Sequence, residues 1–340
     1  MKILVTGGLG FIGSHTVVEL QQKNYEVVII DNLSNSSIDV LSGIEKITGK
    51  TPEFHNFDLC EREKVNQFFK NHQDLSGIIH FAASKAVGES VENPLLYYEN
   101  NINTLVYLLK AQTQFQQANF IFSSSCTVYG EADKLPITED APVKQAESPY
   151  GNTKQIGEEI IRDTAKTYSH FKAIALRYFN PIGAHESAEI GELPIGTPQN
   201  LVPYITQTAA GIRNELSIFG DDYPTVDGTC IRDYIHVVDL AKAHVVALER
   251  QLQDSCKTNF EVFNLGTGKG SSVKEVVQTF ERVTNQELPH KIVSRREGDV
   301  VAAYADTQKA KNELGWATKL TLDDALASAW KWQLKLRQTH

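Results

Sequence analysis

Several features that mark particular classes of protein are missing from this sequence. No apolar run approaches the length of a membrane span, and the opening stretch "MKILV" meets glycines too soon to be the core of a signal peptide. There is no internal repeat and no low-complexity linker. Hydrophobic residues form 41% of the chain, a share typical of soluble globular proteins. The 340 residues are enough for one large domain or two smaller ones, each with its own core.

Cysteine and net positive charge are also scarce. The four cysteines (Cys60, Cys126, Cys230 and Cys256) lie far apart without a CxxC pair, which indicates a reducing compartment and predicts neither a disulfide framework nor a metal site. The formal net charge of -9 argues against nucleic acids and anionic membranes as partners. We therefore expect a cytoplasmic protein, in which an anionic substrate would need its own local cluster of basic residues.

The sequence does contain a glycine-rich turn between a strand and a helix. The apolar run 2–5 predicts a buried strand, "TGGLGFIG" follows at 6–13, and "YEVVIID" at 25–31 predicts a second strand after a helical pattern. The turn fits both GxGxxG and GxxGxxG, through its glycines Gly7, Gly8, Gly10 and Gly13. Glycine allows positive φ and lets the backbone approach a pyrophosphate, which then meets the helix N-terminus. The turn therefore predicts a dinucleotide site.

Asp31 ends that second strand, 18 residues after Gly13. A carboxylate at this position accepts hydrogen bonds from the adenosine ribose hydroxyls and repels a 2′-phosphate. The sequence therefore favours NAD over NADP as the cofactor. The alternative is a tight structural turn beside a surface aspartate, and the surrounding order of strand, turn, helix and strand argues against it.

Strand and helix patterns alternate through the first half of the chain, which predicts a doubly wound parallel sheet of the Rossmann type. Ligands of such sheets bind beyond the carboxyl ends of the strands. The side chains of Asp31, Asp58 and Ser123 to Ser125 follow or end predicted strands, as does the stretch "FAAS". We expect all of them to border one crevice.

The alternation loosens beyond about residue 180. The loop 181–200 is longer than a compact domain needs for a connection, which indicates a functional role. We expect a dinucleotide-binding domain at 1–180, onto which residues of about 233–265 pack back. Residues 181–340 are expected to form mainly a smaller, mixed α/β lobe that covers the crevice and selects the substrate.

The stretch "SPYGNTK" at 148–154 places Tyr150 and Lys154 one turn apart on a helix that begins near Pro149. A lysine ammonium and a positive nicotinamide ring both lower the pKa of a tyrosine, which can then take a proton from a sugar hydroxyl. Ser125 ends a strand 25 residues upstream of the tyrosine and could bond the same substrate oxygen. An ordinary surface pair is the alternative. The combination with Ser125 and the glycine turn favours catalysis.

With these residues the chain resembles the extended short-chain dehydrogenase/reductase family, and within it the enzymes that epimerise UDP-hexoses at C4. The likeness covers nearly the whole chain, and its specific stretches are "TGGLGFIGSH", "DNLSNSS", "FAASKAVGES", "SSSCTVYGE", "SPYGNTK", "LRYFNPIGAH", "DGTCIRDYIHVVDLA", "FNLGTG" and "RREGD". The resemblance implies that tightly held NAD takes hydride from C4 of UDP-glucose or UDP-galactose and returns it to the opposite face. It also implies a homodimer through the helices near 94–117 and 149–168.

The resemblance also assigns residues to roles. It makes Ser125, Tyr150 and Lys154 the catalytic set. Around NAD it places the three catalytic residues and Gly7, Gly10, Phe11, Ile12, Gly13, Asp31, Asn32, Leu33, Ser34, Asn35, Ser36, Asp58, Leu59, Phe81, Ala82, Ala83, Ser84, Lys85, Asn100 and Phe179. Around the nucleotide sugar it places Ser125, Tyr150, Asn180, Asn200, Leu201, Ser217, Ile218, Phe219, Arg232, Arg296, Asp299 and Ala303. The residue types alone support Arg232 and Arg296 as diphosphate donors, although solvated surface arginines fit equally well.

Related enzymes of the same fold catalyse other reactions of nucleotide sugars. Sister dehydratases carry an acidic pair after the catalytic hydroxyl residue and decarboxylases keep a glutamate there, whereas this chain has Cys126 and Thr127. Dehydration and decarboxylation are therefore disfavoured. A non-catalytic NAD-binding regulator would not need Ser125, Tyr150 and Lys154. A dehydrogenase that releases its keto product is not excluded.

Substrate width is expected to depend on a position seven residues after Arg296. In the epimerases that this chain resembles, a tyrosine there restricts the pocket to glucose and galactose, and a small residue admits 2-acetamido sugars. The count falls on Ala303, with Tyr304 next to it. We hypothesise that UDP-N-acetylglucosamine and UDP-N-acetylgalactosamine are also substrates, and they could even be the main ones. A slip of one residue would place Tyr304 at the gate instead.

Overall fold

Short apolar strands alternate with helices through the first half of the chain. The computed structural model describes residues 1–296 and 299–339. The first six strands are β1 Lys2–Thr6, β2 Glu26–Asp31, β3 Glu53–Asn56, β4 Leu75–His80, β5 Asn119–Ser125 and β6 Lys172–Tyr178. The helices between them are α1 Phe11–Gln22, α2 Val40–Thr48, α3 Arg62–Asn71, α4 Val87–Glu92, α5 Pro94–Gln114 and α6 Pro149–Thr167, with a 3₁₀ turn at Cys126–Tyr129.

The second half contains shorter elements. In chain order they are β7 Asn180–Ile182, α7 Leu201–Ala209, β8 Leu216–Phe219, β9 Ile231–Arg232, β10 Tyr234–His236, α8 Val237–Leu252, β11 Phe260–Leu265, β12 Ser271–Ser272, α9 Val273–Thr284, β13 His290–Val293, β14 Ala302–Ala303 and α10 Leu322–Thr339. A π-helical turn spans Ala310–Leu314. Short pairings join β7 to β10, β8 to β13, and β9 to both β12 and β14.

Seven strands of the described chain form one sheet in the order β11-β6-β5-β4-β1-β2-β3. Each pairing with a resolved register, from β6 across to β3, is parallel. The chain moves from β1 outward to β3 and then returns to β4 on the other side of β1. The strand order therefore reverses between β1 and β4, which is where doubly wound sheets bind their ligands. The expected doubly wound parallel fold is confirmed.

The described chain divides into two compact units. The first contains Met1–Gly130, Pro142–Tyr178 and Ala241–Phe263, and its core includes the fully buried Phe69, Phe120 and Phe171. The second contains Glu131–Ala141, Phe179–Leu240 and the described residues from Asn264 onward, and its core includes Ile205, Phe280 and Leu326. Within the described ranges, no helix combines the length and the apolar character needed to cross a bilayer.

The segment that packs back onto the first unit is 241–263, shorter than the expected 233–265, and one earlier segment also departs from the division drawn on the sequence. Residues 131–141 lie with the second unit although they precede Tyr150 in the chain. Ile137 explains this, because its backbone N–H donates to Tyr304 O at 2.9 Å and its carbonyl accepts from Asn264 Nδ2 at 2.9 Å. Both contacts span more than a hundred residues, so no local pattern indicates them.

Candidate active site

The glycine turn lies where the strand order reverses. Gly7 directly follows β1 and has a φ of +67°, and a Cβ on it would come within 2.8 Å of Ala82 N, which follows β4. A Cβ on Gly13 would lie 2.2 Å from Gly7 O, so only glycine permits this packing of α1 against the turn. Helix α1 begins after Gly10 without a side-chain cap. Its uncapped N-terminus beside a bare backbone turn fits a pyrophosphate.

Asp31 is tied into the loops on either side of it. Its Oδ2 accepts the Leu9 N–H at 3.1 Å, and its Oδ1 accepts the Leu33 N–H at 2.9 Å and the Ser36 hydroxyl at 2.8 Å. Asn32 donates to Asp58 at 2.9 Å. The structure thus brings the predicted adenosine-side residues together at the carboxyl ends of β2 and β3. Ser34 and Asn35 belong to the same loop, which follows β2. Leu59 is an exception, because its side chain is buried in the core of the first unit.

The loop after β4 is held by asparagines of α5. Asn100 donates to the Ser84 hydroxyl at 3.0 Å, and Asn101 both donates to Ser84 O at 3.0 Å and accepts the Ser84 N–H at 2.8 Å. Asn101 also donates to the Thr153 hydroxyl at 3.1 Å, which links this loop to α6. Asn100 was predicted from the resemblance, whereas no motif in the sequence indicates Asn101 or Thr153. The loop contains the predicted cofactor residues Phe81, Ala82, Ala83, Ser84 and Lys85.

Ser125, Tyr150 and Lys154 are assembled as expected at the carboxyl end of β5. The side chains of Ser125 and Tyr150 are hydrogen-bonded to each other. Lys154 Nζ donates to Ser123 O at 2.6 Å and lies 5.8 Å from the centre of the Tyr150 ring. Ser148 caps α6 by accepting the Gly151 N–H at 3.1 Å, so Tyr150 stands in the first turn after Pro149. The cap and the proline fix where the helix, and therefore the tyrosine, begins.

The electrostatics of this group differ from the expectation in one respect. Burial raises the pKa of Tyr150 to about 12, although the hydrogen bond with Ser125 acts in the opposite direction. Burial also lowers the pKa of Lys154 to about 8. The Lys154 ammonium contacts Ser123 O and not the phenol oxygen. In this structure the effect of burial on the pKa of Tyr150 is therefore larger than the stabilisation of the phenolate by the ammonium. Lowering the tyrosine pKa therefore requires further positive charge, such as that of an oxidised nicotinamide ring.

A buried ion pair supports the catalytic helix. Glu158 lies four residues after Lys154 on α6 and accepts Arg177 Nε at 2.8 Å and the Ser124 hydroxyl at 2.6 Å. Both charged side chains are only 4% exposed. The guanidinium also lies 4.8 Å from the ring of Tyr129. This network could not be predicted from the sequence, because nothing local distinguishes Glu158 and Arg177 from surface residues.

In the second unit, one carboxylate brings the two predicted arginines together. Asp299 Oδ1 lies 2.8 Å from an Arg296 nitrogen and 3.4 Å from Arg232 NH2. Arg232 NH1 also donates to Val300 O at 2.8 Å, and the Arg296 guanidinium lies 5.7 Å from the centre of the Phe219 ring. The two arginines form a cationic group beside the ring of Phe219, and such a group suits the diphosphate of a nucleotide. Glu297 and Gly298, also part of "RREGD", lie outside the described residues.

The other predicted residues of the second unit have more varied surroundings. Asn200 precedes α7 and donates to Glu192 at 2.6 Å, and Leu201 begins that helix. Ser217 lies on β8 next to Ile218. The side chain of Ile218 is buried in the core, so only the backbone of Ile218 can face a ligand. Phe179 is buried, and Asn180 begins β7 with its N–H donating to Asp233 O at 2.9 Å.

Strand β14 settles which of two neighbours lies beside Arg232. Ala303 pairs directly with Arg232 in a parallel register, so the two side chains project from the same face. Tyr304 lies on the other face, that of Ile231, because a Cβ on Gly270 would come within 2.3 Å of the Ile231 side chain and 3.1 Å of the Tyr304 ring. The small residue, not the tyrosine, is therefore the neighbour of the arginine.

Comparison with known proteins places the chain among relatives of nearly equal length. A family model described as GDP-mannose 4,6 dehydratase matches residues 4–329. The UDP-glucose 4-epimerase of Bacillus subtilis (strain 168) is 50% identical over 333 residues, which is 98% of this chain and 97% of the relative.

Two solved epimerase structures are similar along their whole length. The UDP-glucose 4-epimerase of Stenotrophomonas maltophila, with bound NAD and formylated UDP-arabinopyranose, has a TM-score of 0.96 at 46% identity and covers 100% of both chains. That of Bifidobacterium longum, in complex with NAD+ and UDP, has a TM-score of 0.94 at 44% identity with the same coverage. By these matches, the chain belongs to the UDP-glucose 4-epimerase family of extended short-chain dehydrogenase/reductases.

Proposed function

We propose that this enzyme interconverts UDP-glucose and UDP-galactose by transient oxidation at C4 of the sugar. The observation that carries the proposal is the hydrogen-bonded pair of Ser125 and Tyr150, with Lys154 one turn further along α6. The pair stands at the carboxyl end of β5, in the same sheet as the glycine turn that follows β1. The residues proposed for proton transfer and for cofactor binding thus lie at the same edge of one sheet, with β4 between their two strands.

NAD is the proposed cofactor. The bare turn at Gly7, the close packing at Gly13 and the uncapped start of α1 fit its pyrophosphate. Asp31 supplies a carboxylate for the ribose hydroxyls and repels a 2′-phosphate. When bound, NAD supplies the acceptor and donor of hydride at C4 of the sugar. Denaturing the purified protein should release NAD, and mainly NADP in the supernatant would refute the role of Asp31.

The protein's own residues orient the sugar and move one proton. Tyr150 takes the proton of the 4-hydroxyl while the Ser125 hydroxyl bonds the same oxygen. The keto sugar then turns over and Tyr150 returns the proton, so that the configuration at C4 inverts. Lys154 is charged below a pH of about 8, and its ammonium, 5.8 Å from the centre of the Tyr150 ring, favours the phenolate. We infer that Arg232 and Arg296 bind the diphosphate, with Asp299 fixing their orientation.

We further propose that N-acetylated sugars are accepted. Ala303 lies beside Arg232 and offers only a methyl group, whereas the ring of Tyr304 packs toward Gly270. The space that a tyrosine at position 303 would occupy is therefore left for a 2-acetamido group.

This proposal is tested by incubating the enzyme with UDP-glucose, UDP-galactose and their N-acetyl forms and separating the products. Wild type should epimerise all four. Ala303→Tyr should suppress turnover of the N-acetyl pair and largely spare the other two, while Ala303→Ser should behave as wild type. If wild type ignores the N-acetyl sugars, or Ala303→Tyr treats all four alike, the gate assignment is wrong.

Dehydration is the second candidate, because the matching family model carries the description of a dehydratase. That reaction needs an acid and a base at C5 and C6 of the sugar. After Ser125 this chain has Cys126 and Thr127, in a 3₁₀ turn that Ser125 caps by accepting the Thr127 N–H at 3.2 Å. Neither position carries the carboxylate that dehydratases have after the catalytic hydroxyl residue, which favours epimerisation. A 4-keto-6-deoxy product in the assay above would reverse this choice.

We also propose a cytoplasmic homodimer. The scattered cysteines support a reducing compartment. Helix α5 supports the dimer, because it presents a stripe of accessible apolar side chains: Leu95 is 80% exposed, and Ile102 and Val106 are partly exposed at helical spacing. A second copy of the chain would bury this stripe.

A further inference from the structure

Two histidines and a glutamate converge at the edge of the sheet in the first unit. Glu53 and His55 lie two residues apart on the edge strand β3, so their side chains share one face. His72 directly follows α3 and completes the group. Glu53 Oε1 lies 2.7 Å from His55 Nε2 and 2.9 Å from His72 Nε2.

The hydrogen bonds of His72 determine which of its nitrogens can bind a cation. Its Nδ1 lies 2.8 Å from Phe68 O, and since a carbonyl can only accept, Nδ1 carries the proton. In the neutral ring, Nε2 therefore presents a lone pair to the carboxylate oxygen of Glu53. Two acceptors at 2.9 Å repel each other unless a positive charge lies between them, and this charge is either a second proton or a metal ion.

We propose that Glu53, His55 and His72 bind a divalent transition metal such as Zn²⁺. Two imidazole nitrogens and one carboxylate oxygen are a common three-ligand set for Zn²⁺, with water as the fourth ligand. The three ligand atoms lie within 4.8 Å of one another. Glu53 is half-exposed, so a small outward movement of its side chain would make room for an ion between the three ligand atoms.

The surroundings of His72 are those of an oriented metal ligand. A backbone carbonyl on the second ring nitrogen fixes the tautomer and the ring orientation, as in many metal sites. The ring of Phe68 stacks on the imidazole with a centroid distance of 4.0 Å and an interplanar angle of 14°. A surface depression lined by Asn56, Lys64 and Gln67 gives solvent and ions access. The charge of Lys64 is offset by Glu61 at 2.8 Å.

The metal would fasten α3 to β3 without taking part in the epimerisation. Ser125 ends β5, which is four strands away from β3, or roughly 19 Å at about 4.8 Å per strand. The scattered cysteines give no indication of this group, because it contains none of them and joins β3 to the end of α3, 17 residues further along the chain. The expected effect is zinc-dependent stability with unchanged turnover.

The test is calorimetric titration of the chelator-treated holoenzyme with Zn²⁺. Wild type should bind one equivalent of Zn²⁺. Each of the variants His55→Gln, His72→Gln and Glu53→Gln should have an affinity for Zn²⁺ at least tenfold lower. His290→Gln is the matched control, since His290 is also exposed on a strand with its Nδ1 against a backbone carbonyl, and it should bind as wild type. Zn²⁺ should raise the unfolding midpoint of wild type and of this control only.

A readout that needs no variant keeps the proposal testable if one of them fails to fold. On addition of one equivalent of Zn²⁺, the ring resonances of His55 and His72 should shift while those of the other histidines stay in place. The proposal is overturned if wild type binds no equivalent of Zn²⁺, if the three variants bind it as tightly as wild type, or if the shifted resonances belong to other histidines.

Discussion

The proton of the proposed reaction is moved by a single oxygen atom, the phenol of Tyr150. Burial raises the pKa of this group to about 12, so near neutral pH it holds its proton unless neighbouring positive charge stabilises the phenolate. Ser125 contributes a hydrogen bond and Lys154 contributes a buried ammonium whose own pKa is about 8. The spacing of tyrosine and lysine could be read from the sequence, but the opposing effect of burial could not.

Replacing Tyr150 with phenylalanine removes only this oxygen. We expect kcat to fall by about 10²–10⁴-fold, which is the usual contribution of general acid–base catalysis. The amount of NAD that copurifies should stay the same, because the ring remains. Tyr168→Phe, at the exposed end of the same helix, serves as the control and should leave kcat unchanged. Near-normal turnover of Tyr150→Phe would remove the tyrosine from the mechanism.

Replacing Lys154 with methionine removes the buried cation. In wild type the ammonium is present below a pH of about 8 and favours the phenolate there. Without it the pKa of Tyr150 rises further, so the pH–rate profile of Lys154→Met should move toward alkaline pH. Lys166→Met, in the exposed last turn of α6, should keep the wild-type profile. A lower rate with an unshifted profile would show that Lys154 only positions its neighbours.

Among the elements, helix α6 joins catalysis to the fold. Tyr150, Lys154 and Glu158 follow one another at four-residue spacing, so a single helix face carries both catalytic groups and the anchor to Arg177 on β6. Gly157 on this face lets the helix approach the sheet, since a Cβ there would lie 2.8 Å from the ring of Phe122. The orientation of the catalytic residues therefore depends on the buried ion pair.

Replacing Glu158 with alanine should leave Arg177 charged and buried without its partner. Breaking a buried pair in this way costs about 3–5 kcal/mol of unfolding free energy. The neighbouring Glu159 is exposed, and Glu159→Ala should change the stability by less than about 0.5 kcal/mol. Urea denaturation of both variants measures the difference. If the two variants are equally stable, the ion pair does not anchor the helix.

Most elements could be predicted from local pattern, and the exceptions have a common cause. The run 172–180 reads as one strand, but β6 ends at Tyr178, since the Phe179 N–H donates to Leu265 O and the Asn180 N–H donates to Asp233 O. Asn180 then begins a different sheet. The contacts of Asn101 with Thr153, and of Asp299 with Arg232, likewise join residues that are distant in sequence. Such contacts depend on how the strands and helices pack in the whole fold, and the periodicity of hydrophobic residues along the sequence does not indicate this packing.

At the scale of the whole molecule, the apolar stripe on α5 predicts a homodimer. If a second copy covers the stripe on α5, the sedimentation mass should be about twice the 37.9 kDa of one chain. Val106→Glu places a charge within the stripe and should shift the equilibrium toward monomers. Gln73→Glu adds the same charge at an exposed position of the same unit and should leave the mass unchanged. A monomeric wild type would contradict the proposed dimer.

The most direct measurement of the overall reaction follows deuterium placed at C4 of UDP-glucose. We predict that the purified enzyme converts it to UDP-galactose with the deuterium still on C4, because the hydrogen that leaves this carbon returns to it, and that no NADH accumulates. Deuterium found at C6 of a deoxy sugar would indicate dehydration. Deuterium found in accumulated NADH beside a keto sugar would indicate net oxidation. Either of these results would contradict C4 epimerisation.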